Sequence, residues 1–257
     1  MKLSVVIPVH NEEACIENTA RELIRELEAK IIPYELILVN DNSIDGTPVV
    51  LDKLKKDYGT VRVITSTEPK GFGRAIRVGL NNIQGDVVVI YMGDGSDDTA
   101  DVVCYYNKIL EGYDCAFGSR FIKGSKISEY PLLKLLLNRL GNKFIQILFQ
   151  IKYNDVSNAF KAYRTEVIKA VQPLVSQYFN ITVEIPLKAI VRGFSYAVVP
   201  INWRGRESGV SKYNIRALSR KYFFSILFVW LEKILLKEEI SAKNSLHAKR
   251  GSSLPKT

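Results

Sequence analysis

The chain has 257 residues, is 47% hydrophobic and 25% charged, and sets 36 Lys and Arg against 27 Asp and Glu. That composition supplies enough apolar material for a core and excludes a chain disordered throughout. The one long apolar stretch, Tyr222 to Leu236, contains Glu232 and Lys233 and falls short of the ~20 residues of a membrane-spanning helix, which argues against a polytopic membrane protein.

The opening MKLSVVIPVHNEE has a short apolar run and no small-residue cleavage site, so it is not expected to be a signal peptide. The three cysteines (Cys15, Cys104, Cys115) are odd in number and far apart, against a disulfide framework or a zinc site. The net charge of +9 is unevenly spread. Residues 1–117 hold 12 basic and 19 acidic side chains, whereas residues 118–221 hold 18 and 5. A basic half points to nucleic acid, an anionic membrane surface or a phosphorylated substrate. Nucleic acid is disfavoured, because no RNP-like or helix-turn-helix pattern surrounds the basic residues.

In chain order, Leu3–Val9 reads as a buried strand, and Asn11 as the cap of a helix running to about Lys30 with Glu12 and Glu13 in its first turn. Strand Glu35–Asn40, helix Thr47–Asp57 and strand Val61–Thr65 follow. Next come a helix after Lys70-Gly71-Phe72-Gly73, strand Asp86–Tyr91, helix Asp101–Glu111 and strand Asp114–Gly118. Apolar strands alternating with amphipathic helices predict an α/β fold with a mostly parallel sheet covered on both faces. Ligands of such sheets bind beyond the carboxyl ends of the strands. There the sequence places Pro8, His10, Asn11 and Glu12, then Asp41, Asn42, Ser43 and Asp45, then Lys70 and Gly71, and finally Gly93–Asp98. Acids converging from several strand ends fit a hard cation and a diphosphate; the plainer reading is that each makes its own turn or cap. A P-loop and a dinucleotide GxGxxG fingerprint are both absent.

PVHNEE, VNDNSIDGT, KGFGRAIRVGL and GDVVVIYMGDGSDD together resemble the family-2 inverting glycosyltransferases. GSRF, DVSNAFKAY and RGRESGVSKY extend the likeness, over about residues 1–215, to the polyprenyl-phosphate sugar synthases, the dolichol-phosphate mannosyl and glucosyl transferases among them. The resemblance implies a GT-A-like, Rossmann-like nucleotide-sugar fold. Its donor half would be residues 1–117 and its acceptor half residues 118–215. It implies an inverting transferase moving a sugar from GDP-mannose or a UDP-hexose to a polyprenyl or dolichyl phosphate. Pro8, His10, Glu12, Asp41, Lys70 and Gly71 would hold the nucleotide sugar. Asp94, with Asp97, would hold Mg²⁺ or Mn²⁺; here the sequence departs from the family's DxD pattern, because Met92 replaces the first acid. Arg120, Lys134 and Ser211 would bind the acceptor phosphate, Arg206 and Lys212 would close over both phosphates, and Asp155 and Glu184 would line the cleft.

Tyr130–Ile151 reads as a basic amphipathic helix pair broken near Gly141, carrying Lys134, Arg139 and Lys143 among leucines and phenylalanines. It suits an interfacial segment. Residues 216–236 would add a second membrane-associated helix, and 237–257 a disordered basic tail. The chain would then be peripheral on the cytoplasmic face of the cell membrane, without a spanning helix, and able to form homo-oligomers. Two alternatives stand beside this reading. One is a transferase acting on a glycan or glycolipid hydroxyl, with Asp97 or Asp155 as base; the other is a non-catalytic nucleotide-sugar-binding protein.

Overall fold

A computed structural model describes residues 1–205 and 220–236. In chain order the elements are β1 (Leu3–Val9), α1 (Ile16–Ala29), β2 (Tyr34–Asn40), α2 (Thr47–Asp57), β3 (Val61–Thr65), α3 (Phe72–Leu80), β4 (Val87–Ile90), α4 (Thr99–Leu110) and β5 (Cys115–Ser119). They continue with β6 (Lys126–Ser128), α5 (Leu132–Phe149), β7 (Lys161–Arg164), α6 (Thr165–Ala170), α7 (Ile181–Val191), β8 (Tyr196–Pro200) and β9 (Asn202–Arg204). Residues 220–236 form a last helix, α8. The main sheet has the order β3-β2-β1-β4-β7-β5-β8, and β6 pairs with β9 in a separate ribbon. All pairings in the main sheet are parallel except the two made by β7. The expected mostly parallel α/β architecture is therefore present, with one antiparallel strand that the sequence did not announce.

Alternation along β1 explains the two cores. Leu3, Val5, Ile7 and Val9 pack with α1, α2 and α4 on one face, while Val6 joins α3, α7 and α8 on the other. Chain order reverses between β1 and β4, so the segments that follow them, 10–15 and 91–98, leave the carboxyl edge at the switch point where ligands of such sheets usually bind.

Two local expectations are corrected. Asn11 does not cap α1. The helix begins at Ile16 after Cys15, and Asn11, at φ 52°, turns its Oδ1 to accept the Ile44 N–H. Its side chain serves the neighbouring loop, which leaves the helix without a side-chain cap. Nor does α5 break at Gly141: it is continuous from Leu132 to Phe149. A mid-helix glycine costs about 1 kcal/mol, and Asn142, Ile145 and Phe149 anchor the helix by burial.

Candidate active site at the carboxyl edge of the sheet

The loops after β1 and β2 are tied together by hydrogen bonds. The His10 ring Nδ1 lies 2.7 Å from the Asp41 carbonyl, so Nδ1 carries the proton and donates. The Asn11 N–H donates to Ser43 Oγ at 3.1 Å, and the Glu12 N–H to Thr47 Oγ1 at 2.9 Å. Asp41 is buried, and both its carboxylate oxygens accept the Gly71 N–H, at 3.1 and 3.0 Å. That contact brings Lys70 and Gly71 against the end of β2. Pro8 is buried in β1, while His10 and Glu12 are half-buried at the rim and Lys70 is exposed. Asp45 accepts the Thr47 N–H at the start of α2, so for this residue the plain turn reading suffices.

Beyond β4 the turn folds back on itself. Asp94 Oδ1 accepts the Ser96 N–H at 3.1 Å, Asp97 Oδ2 accepts the Met92 N–H at 3.2 Å, and the Tyr91 hydroxyl donates to the Asp97 carbonyl at 2.7 Å. Asp98 caps α4 through the Ala100 N–H. Asp94 and Asp97 are both buried. Burial, reinforced by the nearby charge of Asp94, pushes the Asp97 carboxyl up to about 8. A buried carboxyl raised by the charge of a neighbouring acid is the kind of group whose ionised form a hard cation would favour. Among the described residues no group of three or more His, Cys, Asp or Glu is placed to hold a metal.

β9 lies directly on the acidic turn. Asn202 donates its backbone N–H to Asp101 Oδ2 at 3.0 Å and its side-chain Nδ2 to Asp98 Oδ2 at 3.1 Å. Trp203 forms an isolated bridge with Asp97, and the Arg204 N–H donates to the Ser96 carbonyl at 3.2 Å. The Trp203 ring packs 4.9 Å from that of Tyr130, and the Arg120 guanidinium lies 5.9 and 5.6 Å from those two rings. The acidic and basic ends of the site thus meet across one residue. Trp203, Tyr130 and Asn202 were not among the residues singled out from sequence. Their only signal was proximity to RGRESGVSKY and to the leucine-rich helix.

Arg120 is less open than its motif implies. Its Nε and Nη2 reach the two Asp155 oxygens at 2.8 and 2.7 Å, and its backbone N–H also donates to Asp155. The side chains are 8% and 0% exposed. Burial opposes the Arg120 charge, but Asp155 outweighs it and raises the guanidinium pKa further. Asp155 therefore does not line an open cleft. Neither does Glu184, which is fully buried: it accepts the Val175 and Ser176 N–H groups and pairs with Lys188 at 3.1 Å. Its helical neighbour four residues on supplies the counter-charge. Lys134 stands half-buried over Tyr130, at 5.8 Å. Arg206, Ser211 and Lys212 lie outside the described residues, as do 216–219 and the tail 237–257.

Comparison with known proteins agrees with the fold. The family described as glycosyl transferase family 2 matches residues 4–172. A polyprenol monophosphomannose synthase of Mycolicibacterium smegmatis is 29% identical over 81% of this chain and 79% of its own length. A dolichol-phosphate mannosyltransferase of Pyrococcus furiosus is 31% identical over 82% of this chain, which spans 59% of that relative. The fold resembles that of glucosyl-3-phosphoglycerate synthase from Mycobacterium tuberculosis, solved with Mn²⁺, UDP and phosphoglyceric acid. The TM-score is 0.68 at 19% identity, over 89% of this chain and 78% of that one.

Proposed function

The chain belongs to glycosyl transferase family 2 and is a glycosyltransferase, and we propose that it transfers a hexose, with inversion, from a nucleoside-diphosphate donor to the phosphate of a polyprenyl phosphate at a membrane surface. One observation carries the reading. Trp203 touches the acidic turn through its bridge to Asp97 and the basic cluster through Tyr130 and Arg120. An acid pair suited to a donor's metal-bound diphosphate therefore adjoins an aromatic patch, with the Lys134 ammonium over Tyr130, suited to a second phosphate.

Pro8, His10, Glu12, Asp41, Lys70 and Gly71 surround the nucleotide in this reading, with the Asp41–Gly71 contact fixing the loop before α3. Asp94 and Asp97 would hold Mg²⁺ or Mn²⁺, which when bound supplies charge stabilisation for the departing nucleoside diphosphate. An acceptor phosphate oxygen attacks the anomeric carbon from the face opposite the diphosphate. The carbon–oxygen bond to the diphosphate breaks, and its electron pair leaves with the nucleoside diphosphate. A phosphate oxyanion is already nucleophilic, so no strong base is needed. Asp155 is committed to Arg120, which removes one base that a hydroxyl acceptor would require. Lys134 in the described residues, and Arg206 and Lys212 beyond them, offset the repulsion between the two phosphates, and the Ser211 hydroxyl would donate to the acceptor phosphate.

No described helix is long and apolar enough to cross a membrane. Instead α5 exposes Leu132, Leu133, Leu136, Leu140, Phe144 and Ile147 beside Lys134 and Lys143, the pattern of a helix lying in the headgroup region. The test is transfer from labelled GDP- and UDP-hexoses to polyprenyl phosphate, with and without Mn²⁺. Label in an acid-labile, solvent-extractable lipid supports the reading, and donor binding without lipid labelling overturns it.

A further inference from the structure

We propose that Arg139, on α5, is an acceptor-phosphate ligand and that Arg120 is the buried anchor beneath it. The inference rests on the polyprenyl-phosphate reading above and assigns the charge within it. Arg120 satisfies Asp155 in a bidentate, desolvated pair, so that pair carries little net charge toward the site. Arg139 is exposed and makes no ion pair or hydrogen bond among the described residues. Its guanidinium lies 4.7 Å from the Phe121 ring centroid, and the same ring takes Arg120 at 5.4 Å. Phe121 thus places the exposed cation beside the buried one, on the aromatic floor that continues through Tyr130 to Trp203. The carboxylates adjoining this floor are Asp97, bridged to Trp203 at its far end, Asp155, already paired with Arg120, and the exposed Glu129 that precedes Tyr130.

Helical geometry gives the position its meaning. At 100° per residue, Arg139 lies at the border between the packed side of α5, marked by Asn142 and Ile145, and its exposed apolar side, marked by Leu136 and Leu140. An amphiphile whose chain lies along the apolar side presents its head group at that border. A guanidinium there binds a phosphomonoester with two parallel, charge-assisted hydrogen bonds.

Phosphate chemistry has two sources at a membrane, the acceptor and the phospholipid head groups, and two assays of the full chain separate them. The first is steady-state transfer to a short-chain, water-soluble polyprenyl phosphate. Arg139→Ala is expected to raise the acceptor KM by about tenfold or more while donor KM stays within about twofold, and Arg139→Lys to recover part of the loss. The second is co-sedimentation with phosphatidylglycerol vesicles, where Arg139→Ala is expected to bind nearly as wild type. An unchanged acceptor KM overturns the inference alone. So does lost vesicle binding with soluble transfer intact, which makes Arg139 a head-group contact. A wild-type chain that labels no polyprenyl phosphate overturns the acceptor reading itself, and this inference with it.

Discussion

The Lys161 ammonium stands in for the amide that Pro186 lacks. Pro186 lies inside α7 and donates no hydrogen bond to Thr182, four residues earlier; Lys161 Nζ reaches that Thr182 carbonyl at 3.4 Å and the Val156 carbonyl at 3.0 Å. A fully buried cation from β7 thereby joins α7 to the segment holding Asp155, the partner of Arg120.

That burial has a pH signature. Desolvation, offset in part by Asp155, pulls the Lys161 pKa down to about 7. Between about 7 and the unfolded value of about 10.4 the unfolded chain holds a proton that the folded chain has released, so stability rises with pH through that window. Below about 7 the penalty is complete. Lys161→Met is expected to remove this slope while leaving two carbonyls unpaired. Urea unfolding at about pH 7 and about pH 9 is expected to show wild type gaining, relative to the variant, up to about 1.4 kcal/mol per pH unit. Equal pH dependence in the two proteins counts against the assignment.

Arg120→Met leaves Asp155 charged and buried, and is expected to cost about 3–5 kcal/mol of stability. Adding Asp155→Leu is expected to recover much of that loss, because both charges then leave the interior. Arg139→Ala, at an exposed position, is expected to stay within about 0.5 kcal/mol of wild type. Denaturant midpoints of the four proteins measure all three expectations, and an Arg120→Met protein as stable as wild type would show that the pair contributes little.

The acid pair predicts a metal-linked effect on donor binding. Asp94→Asn is expected to abolish any Mn²⁺-dependent tightening of nucleoside diphosphate binding while leaving metal-free binding near wild type. Met92→Asp, which restores an acid where the family pattern has one, is expected to tighten Mn²⁺ by about tenfold, the order of one added carboxylate contact. Calorimetric titration of the diphosphate with and without Mn²⁺ reads both variants, and Mn²⁺-dependent tightening that survives in Asp94→Asn places the metal elsewhere.

Local chemistry made much of this structure legible. β1, α2 and β3 fall on the residues read from apolar runs and turn signals, and the acids of the β4 turn are where the alternation placed them. What escaped was non-local. β7, KAYR, has no strand pattern and takes its place by pairing between β4 and β5. Arg120 looked like an open phosphate ligand because its counter-charge, Asp155, stands 35 residues away. Asn11 carried a cap signal, but the β2 loop claimed its side chain. Glu184 is the opposite case, since its partner Lys188 is one helical turn along and readable from spacing alone.

The exposed apolar side of α5 makes the last prediction. Leu136 and Phe144 are 57% and 51% exposed, eight residues apart along that side. A charge at either position disturbs little of the core, because the buried residues of the helix are Asn142, Ile145 and Phe149. Leu136→Glu with Phe144→Glu is therefore expected to leave the unfolding midpoint near wild type. The same change withdraws two apolar side chains from the bilayer boundary, each worth about 1.5–3 kcal/mol when buried, and sets two anions against an anionic surface. Vesicle co-sedimentation is expected to fall at least tenfold. Transfer to a water-soluble acceptor is expected to persist, since neither side chain belongs to the aromatic floor or the acidic turn. Vesicle binding that survives the double change would place the membrane contact on another face, α8 with its exposed Phe223 and Phe224 being the next to test.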